Sequence, residues 1–259
     1  MDIAKAIKVG VNTLLRKTGY YVTRVEPAER QRDEVLEDNE AELWRLVEPY
    51  TLTSPEAVAA LVRAVEYVAA ASIPGDFVEC GVWKGGSAMA IANTLMRLGH
   101  TGRNIYLFDT FEAGWPEPAQ EDVTIHGETP QEVYERQRKR GLTDDWFCAP
   151  VDGVRDAMRL TGYPEASVHL VKGRVEDTVP GQAPETIALL RLDTDWYVST
   201  RHELVHLYPR LSKNGVLIVD DYGAWKGARK ATDDYLKAHD IAMLLNRVDD
   251  SGCRIGVKP

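Results

Sequence analysis

The chain has 259 residues, of which 44% are hydrophobic and 27% charged, so it can bury a substantial core in one α/β domain. Its formal net charge of −9 at pH 7 excludes a broad electrostatic surface for DNA or RNA. No apolar run approaches the roughly 20 residues that a membrane span requires. Three widely spaced cysteines, Cys80, Cys148 and Cys253, argue against a disulfide scaffold and indicate a reducing, cytoplasmic location.

The first 50 residues differ in composition from the rest of the chain. A basic amphipathic segment over residues 1–25 precedes the acidic, polar stretch EPAERQRDEVLEDNEAE. These patterns predict an N-terminal helical extension over residues 1–50, and we expect it to be retained because it lacks a signal-peptide apolar core. An amphipathic helix outside the main sheet has to bury its apolar stripe, so we expect it to pack in a homodimer or higher homo-oligomer, or to cover the cofactor.

Residues 51–259 carry the pattern of an α/β domain. Ser54 is expected to cap a helix that begins at Pro55. Helical patterns over residues 87–98 and 200–211 alternate with nearly continuous apolar runs, which predicts a doubly wound, mostly parallel sheet. The runs are DFVECGV (76–82), NIYLFDT (104–110), SVHLVKG (167–173), IALLRLD (187–193), GVLIVDDY (215–222) and IAMLLNRV (241–248). The final SGCRIGVKP (251–259) is expected to return as an antiparallel edge strand.

The connection between the second and third predicted strands, residues 112–162, is longer than one crossover requires. It contains Trp115, Trp146 and Phe147, which either form a lid over a substrate or a satellite core. His126 also lies in this insert, and it is the histidine that competes most strongly for a general-base role.

Ligands of such sheets bind outside the carboxyl ends of the strands. The first strand runs into ECGVWKGGS (79–87), whose glycines match neither the dinucleotide pattern nor the P-loop. They let a ligand approach the backbone, and the helix start at Ser87 suits a small carboxylate. Asp109 closes the second strand, where it can accept hydrogen bonds from a ribose diol. S-adenosylmethionine has both an amino-acid end and a ribose. The candidate cofactor residues are Glu79, Gly81, Gly85, Ser87, Asp109 and Gly173.

Two pairs of carboxylates follow the fourth and fifth predicted strands. Asp193 and Asp195 form the first pair, and Asp220 and Asp221 form the second. If the two strands are neighbours, these like charges converge and require a cation among them. Oxygen ligands without Cys or His favour Mg²⁺ over Zn²⁺, with Mn²⁺ or Ca²⁺ as alternatives. The other interpretation is that these aspartates cap the helices that follow.

Several separate blocks between Tyr50 and the C-terminus resemble the macrocin O-methyltransferase family of metal-dependent sugar methyltransferases. They are YTLTSPEAVAALVRAVEYV, GDFVECGVWKGGS, LFDTFEAGWP and LRLDTDWYVSTRHELVHLYPRLSKNGVLIVDDYGAWKGARKATDDYL. The resemblance implies a Rossmann-like, seven-stranded methyltransferase domain over residues 51–259, with S-adenosylmethionine and Mg²⁺ as cofactors. It implies that Asp193, Asp220 and Asp221 bind the metal and that Asp195 is the general base. It also implies cofactor contacts from Glu79, Gly81, Ser87 and Asp109.

The chemistry expected on this interpretation is methyl transfer to a sugar hydroxyl. A carboxylate with an ordinary pKa of about 3.9 is a poor base for such a weak acid. Metal coordination would lower the pKa of the hydroxyl, and Asp195 would take its proton. Three alternatives stay open: a catechol-type O-methyltransferase, a glycosyltransferase that uses Asp193-Thr194-Asp195 as a D-x-D motif, and a non-catalytic binding module. KGARKA and Trp196 depart from the family pattern, so the sugar acceptor is not carried over from it.

Overall fold

The chain forms a seven-stranded sheet within the residues that the computed structural model describes, which are 36–111, 117–141 and 149–259. The strands are β1 (Asp76–Cys80), β2 (Ile105–Asp109), β3 (Val168–Lys172), β4 (Ile187–Leu192), β5 (Leu211–Val219), β6 (Asn246–Arg247) and β7 (Arg254–Val257). The helices are α1 (Asp38–Val47), α2 (Pro55–Ala70), α3 (Gly86–Arg97), α4 (Pro130–Lys139), α5 (Val151–Leu160), α6 (Val175–Thr178), α7 (Tyr197–Leu207) and α8 (Lys226–Ala238).

The sheet has the order β3-β2-β1-β4-β5-β7-β6. Strands β1 to β5 pair in parallel, and β7 runs antiparallel to both β5 and β6. All six residues of the central strand β4 are buried, because helices cover both faces of the sheet. The predicted Rossmann-like, doubly wound sheet of seven strands is confirmed.

Two hydrophobic clusters fill the space between the sheet and its helices. One contains residues of α1, α2, α3 and α5, including Trp44 and Val47 from α1. The other contains residues of α6, α7 and α8, such as Leu204 and Tyr235. Helix α1 therefore packs into the main core, whereas residues 1–35 of the predicted N-terminal extension lie outside the described residues. The division of the chain near residue 50 stays a prediction.

Helix α2 begins where the sequence predicts. Ser54 Oγ accepts a hydrogen bond from the backbone N–H of Ala57 at 3.1 Å, and Pro55 takes the first helical position. This cap satisfies one of the N–H groups that lack an intrahelical partner. Helix α7 is displaced from its prediction, since it spans Tyr197–Leu207 and ends before a short 3-10 turn at Pro209.

The last two strands depart from the sequence-based expectation. Strand β7 is antiparallel as predicted, but the edge of the sheet is occupied by β6, which has only two residues. Residues 241–245 of the predicted sixth strand form no strand. They cross closely over the backbone of Gly256, where an added Cβ would lie 2.8 Å from Leu244 O and 3.0 Å from Met243 Sδ. Ile241, Met243 and Leu245 pack against the second hydrophobic cluster, whereas the side chain of Leu244 is 76% exposed.

The insert over residues 112–162 is described in part. Its described residues form α4 and α5, while Trp115, Trp146, Phe147 and Cys148 lie outside the described ranges. The lid prediction that rests on these aromatic residues therefore stays a prediction. Among the helices described in these three ranges, none is long and apolar enough to cross a membrane.

Candidate active site

A cavity of about 400 Å³ opens at the carboxyl ends of strands β1 to β5. This is the edge at which parallel α/β sheets bind ligands, and the volume suits a small molecule. Most of the predicted site residues line the cavity, namely Glu79, Gly81, Ser87, Asp109, Gly173, Asp193, Asp195, Asp220 and Asp221. Gly85 and His126 are not part of the lining formed by the described residues.

The glycine turn after β1 needs residues without a side chain. Gly81 has φ 81°, and an added Cβ would lie 1.9 Å from the carbonyl oxygen of Asp193, which follows β4. Gly85 has φ 90° and forms the N-terminal boundary of α3. Ser87 is buried in the first turn of that helix. Close approach of two strand ends, together with the left-handed backbone, explains the glycines.

Asp109 organises this turn from the neighbouring strand. Its Oδ2 accepts hydrogen bonds from the backbone N–H groups of Val82 at 2.7 Å and Trp83 at 3.1 Å. Its Oδ1 accepts one from the N–H of Phe111 at 2.7 Å. These bonds fix the carboxylate beside the cavity. Its predicted contact with a ribose stays a prediction, and Gly173 lies next to it through a backbone bond of 3.0 Å to the Asp109 carbonyl.

Three aspartates form an acidic cluster on the other side of the cavity. Strands β4 and β5 are neighbours, and one carboxylate oxygen from each of Asp193, Asp220 and Asp221 lies within 4.8 Å of the other two. Burial, and the nearby charges of Asp195 and Asp220, raise the pKa of Asp221 well above its ordinary value. Converging, partly desolvated carboxylates of this kind fit a hard divalent cation.

Asp195 is attached to this cluster by its backbone. It has φ 66°, in the left-handed region that non-glycine residues seldom adopt, and its N–H donates to Asp221 Oδ2 at 2.9 Å. The turn is closed by a bond of 2.8 Å from Trp196 N–H to the Thr194 carbonyl. Asp195 is thus held at the border of the cavity beside the cluster.

Arg191 is a site residue that our sequence interpretation missed. Its side chain is 2% exposed near the carboxyl end of the central strand β4, and its guanidinium joins the two halves of the site. Nη1 donates to Glu79 Oε1 at 2.8 Å and to Asp193 Oδ2 at 2.6 Å, while Nη2 donates to Asp220 Oδ1 at 2.8 Å. The cluster therefore already has one built-in positive charge. The available signal was a charged residue inside the run LLRLD, which requires a buried partner in a central strand.

Glu79 faces the cavity with one oxygen unsatisfied. Its Oε1 is paired with Arg191, but its Oε2 is buried with no hydrogen-bond partner among the described residues. Burial raises the pKa of Glu79 to about 7. A buried acceptor that lacks a donor fits a ligand that brings one, such as the ammonium group of S-adenosylmethionine.

His126 is placed away from these groups. It lies exposed in a turn of the insert, in which Gly127 N–H donates to the Thr124 carbonyl at 2.8 Å. Because it does not line the described cavity, the geometry favours Asp195 over His126 as the base.

The comparisons with known proteins decide the family. The family model described as Macrocin-O-methyltransferase (TylF) matches residues 8–255, which is nearly the whole chain. The chain belongs to the macrocin O-methyltransferase family. It is therefore an S-adenosylmethionine-dependent O-methyltransferase, which decides against the glycosyltransferase and the non-catalytic alternatives.

Three bacterial O-methyltransferases are about 30% identical to the chain over the aligned residues. The tetracenomycin rhamnosyl 4'-O-methyltransferase of Streptomyces olivaceus is 32% identical over 203 residues, which cover 78% of this chain and 74% of that protein. Demethyldecarbamoylnovobiocin O-methyltransferase of Streptomyces niveus is 29% identical over 221 residues, covering 85% and 79%. Mycinamicin III 3''-O-methyltransferase of Micromonospora griseorubida is 29% identical, covering 78% and 76%.

Solved structures of O-methyltransferases share the fold of this family member. The O-methyltransferase NovP superposes with a TM-score of 0.69 at 27% identity, covering 81% of this chain and 82% of NovP. The calicheamicin methyltransferase CalS11 superposes with a TM-score of 0.60 at 19% identity, covering 91% and 94%. The second likeness shows the methyltransferase fold alone.

Proposed function

We propose that this O-methyltransferase transfers the methyl group of S-adenosylmethionine to a sugar hydroxyl with the help of Mg²⁺. The observation that carries the proposal is the joining of two half-sites in one cavity. A glycine turn with Glu79 and Asp109 forms one half, and the acidic cluster with Asp195 forms the other.

The cofactor half-site uses the residues at the ends of β1 and β2. The unsatisfied Glu79 Oε2 would accept a hydrogen bond from the ammonium group of the cofactor. Ser87 and the helix start beside it suit the carboxylate, and Asp109 suits the ribose hydroxyls. Gly81 lines the cavity, whereas Gly85 lies outside the described lining and contributes through the positive φ that turns the chain into α3.

The metal half-site uses Asp193, Asp220 and Asp221, and Mn²⁺ would satisfy the same oxygen ligands. A divalent cation bound there would supply a Lewis acid that lowers the pKa of a sugar hydroxyl. The described Cys and His residues contribute no ligand to this cluster, which supports a hard cation rather than Zn²⁺.

Asp195 is proposed as the general base. Its backbone is held by Asp221, so its carboxylate lies beside the cluster and at the cavity wall. There it would accept the proton of the hydroxyl as the oxygen attacks the methyl group. Asp193 would contribute to the same step as one of the residues that hold the cation.

The sugar class of acceptor is supported by the names of the relatives. The Streptomyces olivaceus enzyme is named for a rhamnosyl group and a 4'-hydroxyl, and the Micromonospora enzyme for a 3''-hydroxyl. A catechol would offer similar adjacent oxygens, so it is the acceptor that has to be tested against a sugar.

An acceptor panel tests the proposal. The enzyme is incubated with S-adenosylmethionine and Mg²⁺ and with deoxysugar glycosides, nucleotide-linked sugars, oligosaccharides or catechols, and the products are analysed by mass spectrometry. We expect one added methyl group on a sugar oxygen. Methylation of catechols alone would contradict the sugar assignment while leaving the methyltransferase assignment in place.

The assembly proposed for the protein is a homodimer or higher homo-oligomer. It rests on the amphipathic pattern of the N-terminal extension. A cytoplasmic location is proposed with it, and the buried free thiols of Cys80 and Cys253 support a reducing compartment.

A further inference from the structure

A buried aspartate ties the insert to the catalytic loop. Asp122 belongs to the insert and is 1% exposed. Its Oδ1 accepts a hydrogen bond from the backbone N–H of Tyr197 at 2.7 Å, across 75 positions of sequence. Its Oδ2 accepts one from Ala119 N–H at 2.7 Å. The mechanism derived so far gives this buried carboxylate no role.

Helix α7 lacks a cap of its own. Its N-cap residue is Trp196, whose side chain makes no capping hydrogen bond. The first N–H groups of a helix need acceptors, and a carboxylate at this end also interacts favourably with the helix dipole. Asp122 belongs to a distant segment of the chain and supplies an acceptor for the first N–H group of α7, that of Tyr197.

Gly227 makes room for that carboxylate. It lies in the first turn of α8, although glycine has a lower helix propensity than alanine. A Cβ at this position would lie 1.8 Å from Asp122 Oδ1 and 3.0 Å from Tyr197 N. The glycine is therefore required by the Asp122 contact and not by its own backbone conformation.

Further contacts hold the same segment against the site. Thr124 forms an antiparallel β-bridge with Trp225. Two backbone hydrogen bonds of 2.9 Å flank this bridge: Ile125 N–H donates to the Ala224 carbonyl, and Lys226 N–H donates to the Val123 carbonyl. Val133 of α4 packs with Trp196 and Trp225, whose rings meet edge to face at 4.8 Å. The insert thus contacts Trp196, directly after the first aspartate pair, and residues 224–226, shortly after the second.

We propose that Asp122 is a positioning residue for methyl transfer, which fixes the backbone of Asp195 by holding Tyr197. The inference rests on the proposed function, because it takes Asp195 as the base. The backbone of Asp195 is held on its own N–H by Asp221 and two residues later by Asp122. When the hydrogen bond between Asp122 and Tyr197 is lost, the left-handed backbone of Asp195 can relax. The carboxylate of Asp195 then leaves its position beside the cluster.

Two single variants and their combination test this role. Asp122→Ala removes the acceptor, and Gly227→Ala expels it without changing any residue of the cavity lining. Each is expected to lower kcat by about 100-fold, with little change in the affinity for S-adenosylmethionine measured by calorimetry. The double variant is expected to be no worse than Asp122→Ala, because both changes remove the same contact.

Hydrogen exchange at the Tyr197 amide measures the hydrogen bond to Asp122 directly, and it needs no sugar substrate. It is expected to accelerate in Asp122→Ala and Gly227→Ala. Asp122→Asn keeps an oxygen for Tyr197 N–H, so it should retain most of the protection and of kcat. Gly153→Ala is the matched control, since Gly153 lies in helix α5 and an added Cβ meets nothing within 4 Å.

The outcomes separate this inference from the proposed function. Unchanged amide protection in both variants would overturn the contact. Lower thermal stability with unchanged kcat, or losses that add in the double variant, would show a purely structural role and overturn the positioning role. If the unmodified enzyme methylates no sugar, the proposed function fails, and the exchange measurement still decides whether Asp122 holds Tyr197.

Discussion

Asp195 is the residue on which the proposed chemistry depends most directly. Asp195→Asn keeps the size of the side chain and removes its basicity, so transfer is expected to fall by about 100-fold or more while cofactor binding is retained. Methyl transfer and calorimetric binding of S-adenosylmethionine are measured on the same preparation. Asp240→Asn is the matched control, because Asp240 also has a positive φ of 52° but is exposed in a turn. Full activity of Asp195→Asn would remove Asp195 from the base role.

Glu203 gives the stability of the protein a defined pH dependence. It is fully buried in α7, its Oε1 accepts a hydrogen bond from Thr194 Oγ1 at 2.9 Å, and burial raises its pKa to about 8. In the unfolded chain its pKa is about 4.3. The native side chain thus stays protonated where the unfolded one ionises. This group's contribution to the unfolding free energy is fully present below pH 4.3 or so and falls as pH rises towards 8, by about 1.4 kcal/mol per pH unit.

Urea unfolding at several pH values measures this effect. Glu203→Gln cannot ionise, so its stability relative to the unmodified protein is expected to increase steadily between about pH 5 and pH 8. Glu185→Gln is the control, since that side chain is 92% exposed. Parallel stability curves for the Glu203→Gln variant and the unmodified protein would contradict the raised pKa.

Residues differ in how far sequence alone reveals them. The aspartates after β4 and β5 are predictable, because each follows a strong apolar run and the ends of neighbouring parallel strands meet. Arg191 and Asp122 were missed, because each has at least one decisive partner that is remote in sequence. Arg191 pairs across 112 positions with Glu79, and Asp122 reaches across 75 positions to Tyr197. Such pairs follow from the three-dimensional packing and leave only an indirect trace in sequence, such as the glycine at position 227.

The turn between β1 and α3 is the element on which cofactor binding is expected to depend. Gly81→Ala places a Cβ 1.9 Å from the Asp193 carbonyl oxygen, so the ends of β1 and β4 must separate. The affinity for S-adenosylmethionine is expected to fall by more than about tenfold, together with a loss of stability. Calorimetric titration and thermal unfolding measure the two effects.

A variant at a second glycine distinguishes the steric contact of an added Cβ from the strain of a positive φ. Gly99 has φ 73°, close to that of Gly81, but an added Cβ there meets nothing within 4 Å. Gly99→Ala should therefore lose only about 1–2 kcal/mol of stability and keep its affinity for the cofactor. Equal losses of affinity in the two variants would contradict the role assigned to the β1 turn.

Secondary-structure elements are predictable where burial in the sheet is the only reason for an apolar run. Strands β1, β2, β4 and β5 are largely buried, so their continuous apolar runs reveal them, while β3 at the sheet edge is mostly half-buried. The run at residues 241–248 failed as a strand, because Met243 and Leu245 contact Gly256 and only Asn246–Arg247 pair with β7. The start of α2 was predictable from Ser54 and Pro55, whereas α7 has no local cap and was misplaced by three residues at its start.

At the scale of the whole molecule, the N-terminal extension is the part whose role is predicted from sequence alone. Deletion of residues 1–35 is expected to convert the oligomer to a monomer, as measured by light scattering, because the amphipathic stripe is removed. The deletion stops before α1, since Trp44 and Val47 belong to the main core and their loss would unfold the domain. An unchanged oligomer would contradict the assembly role.

The central claim is that methyl transfer to a sugar depends on a divalent cation at the acidic cluster. The most direct test measures methylation of the sugar that the panel identifies, by mass spectrometry. The enzyme is assayed as purified, after treatment with EDTA, and after Mg²⁺ is restored. We expect loss of transfer in EDTA and full recovery with Mg²⁺, because Arg191 offsets only one of the three charges of Asp193, Asp220 and Asp221 and supplies no Lewis acid for the hydroxyl. Undiminished methylation of the sugar in EDTA would contradict the account.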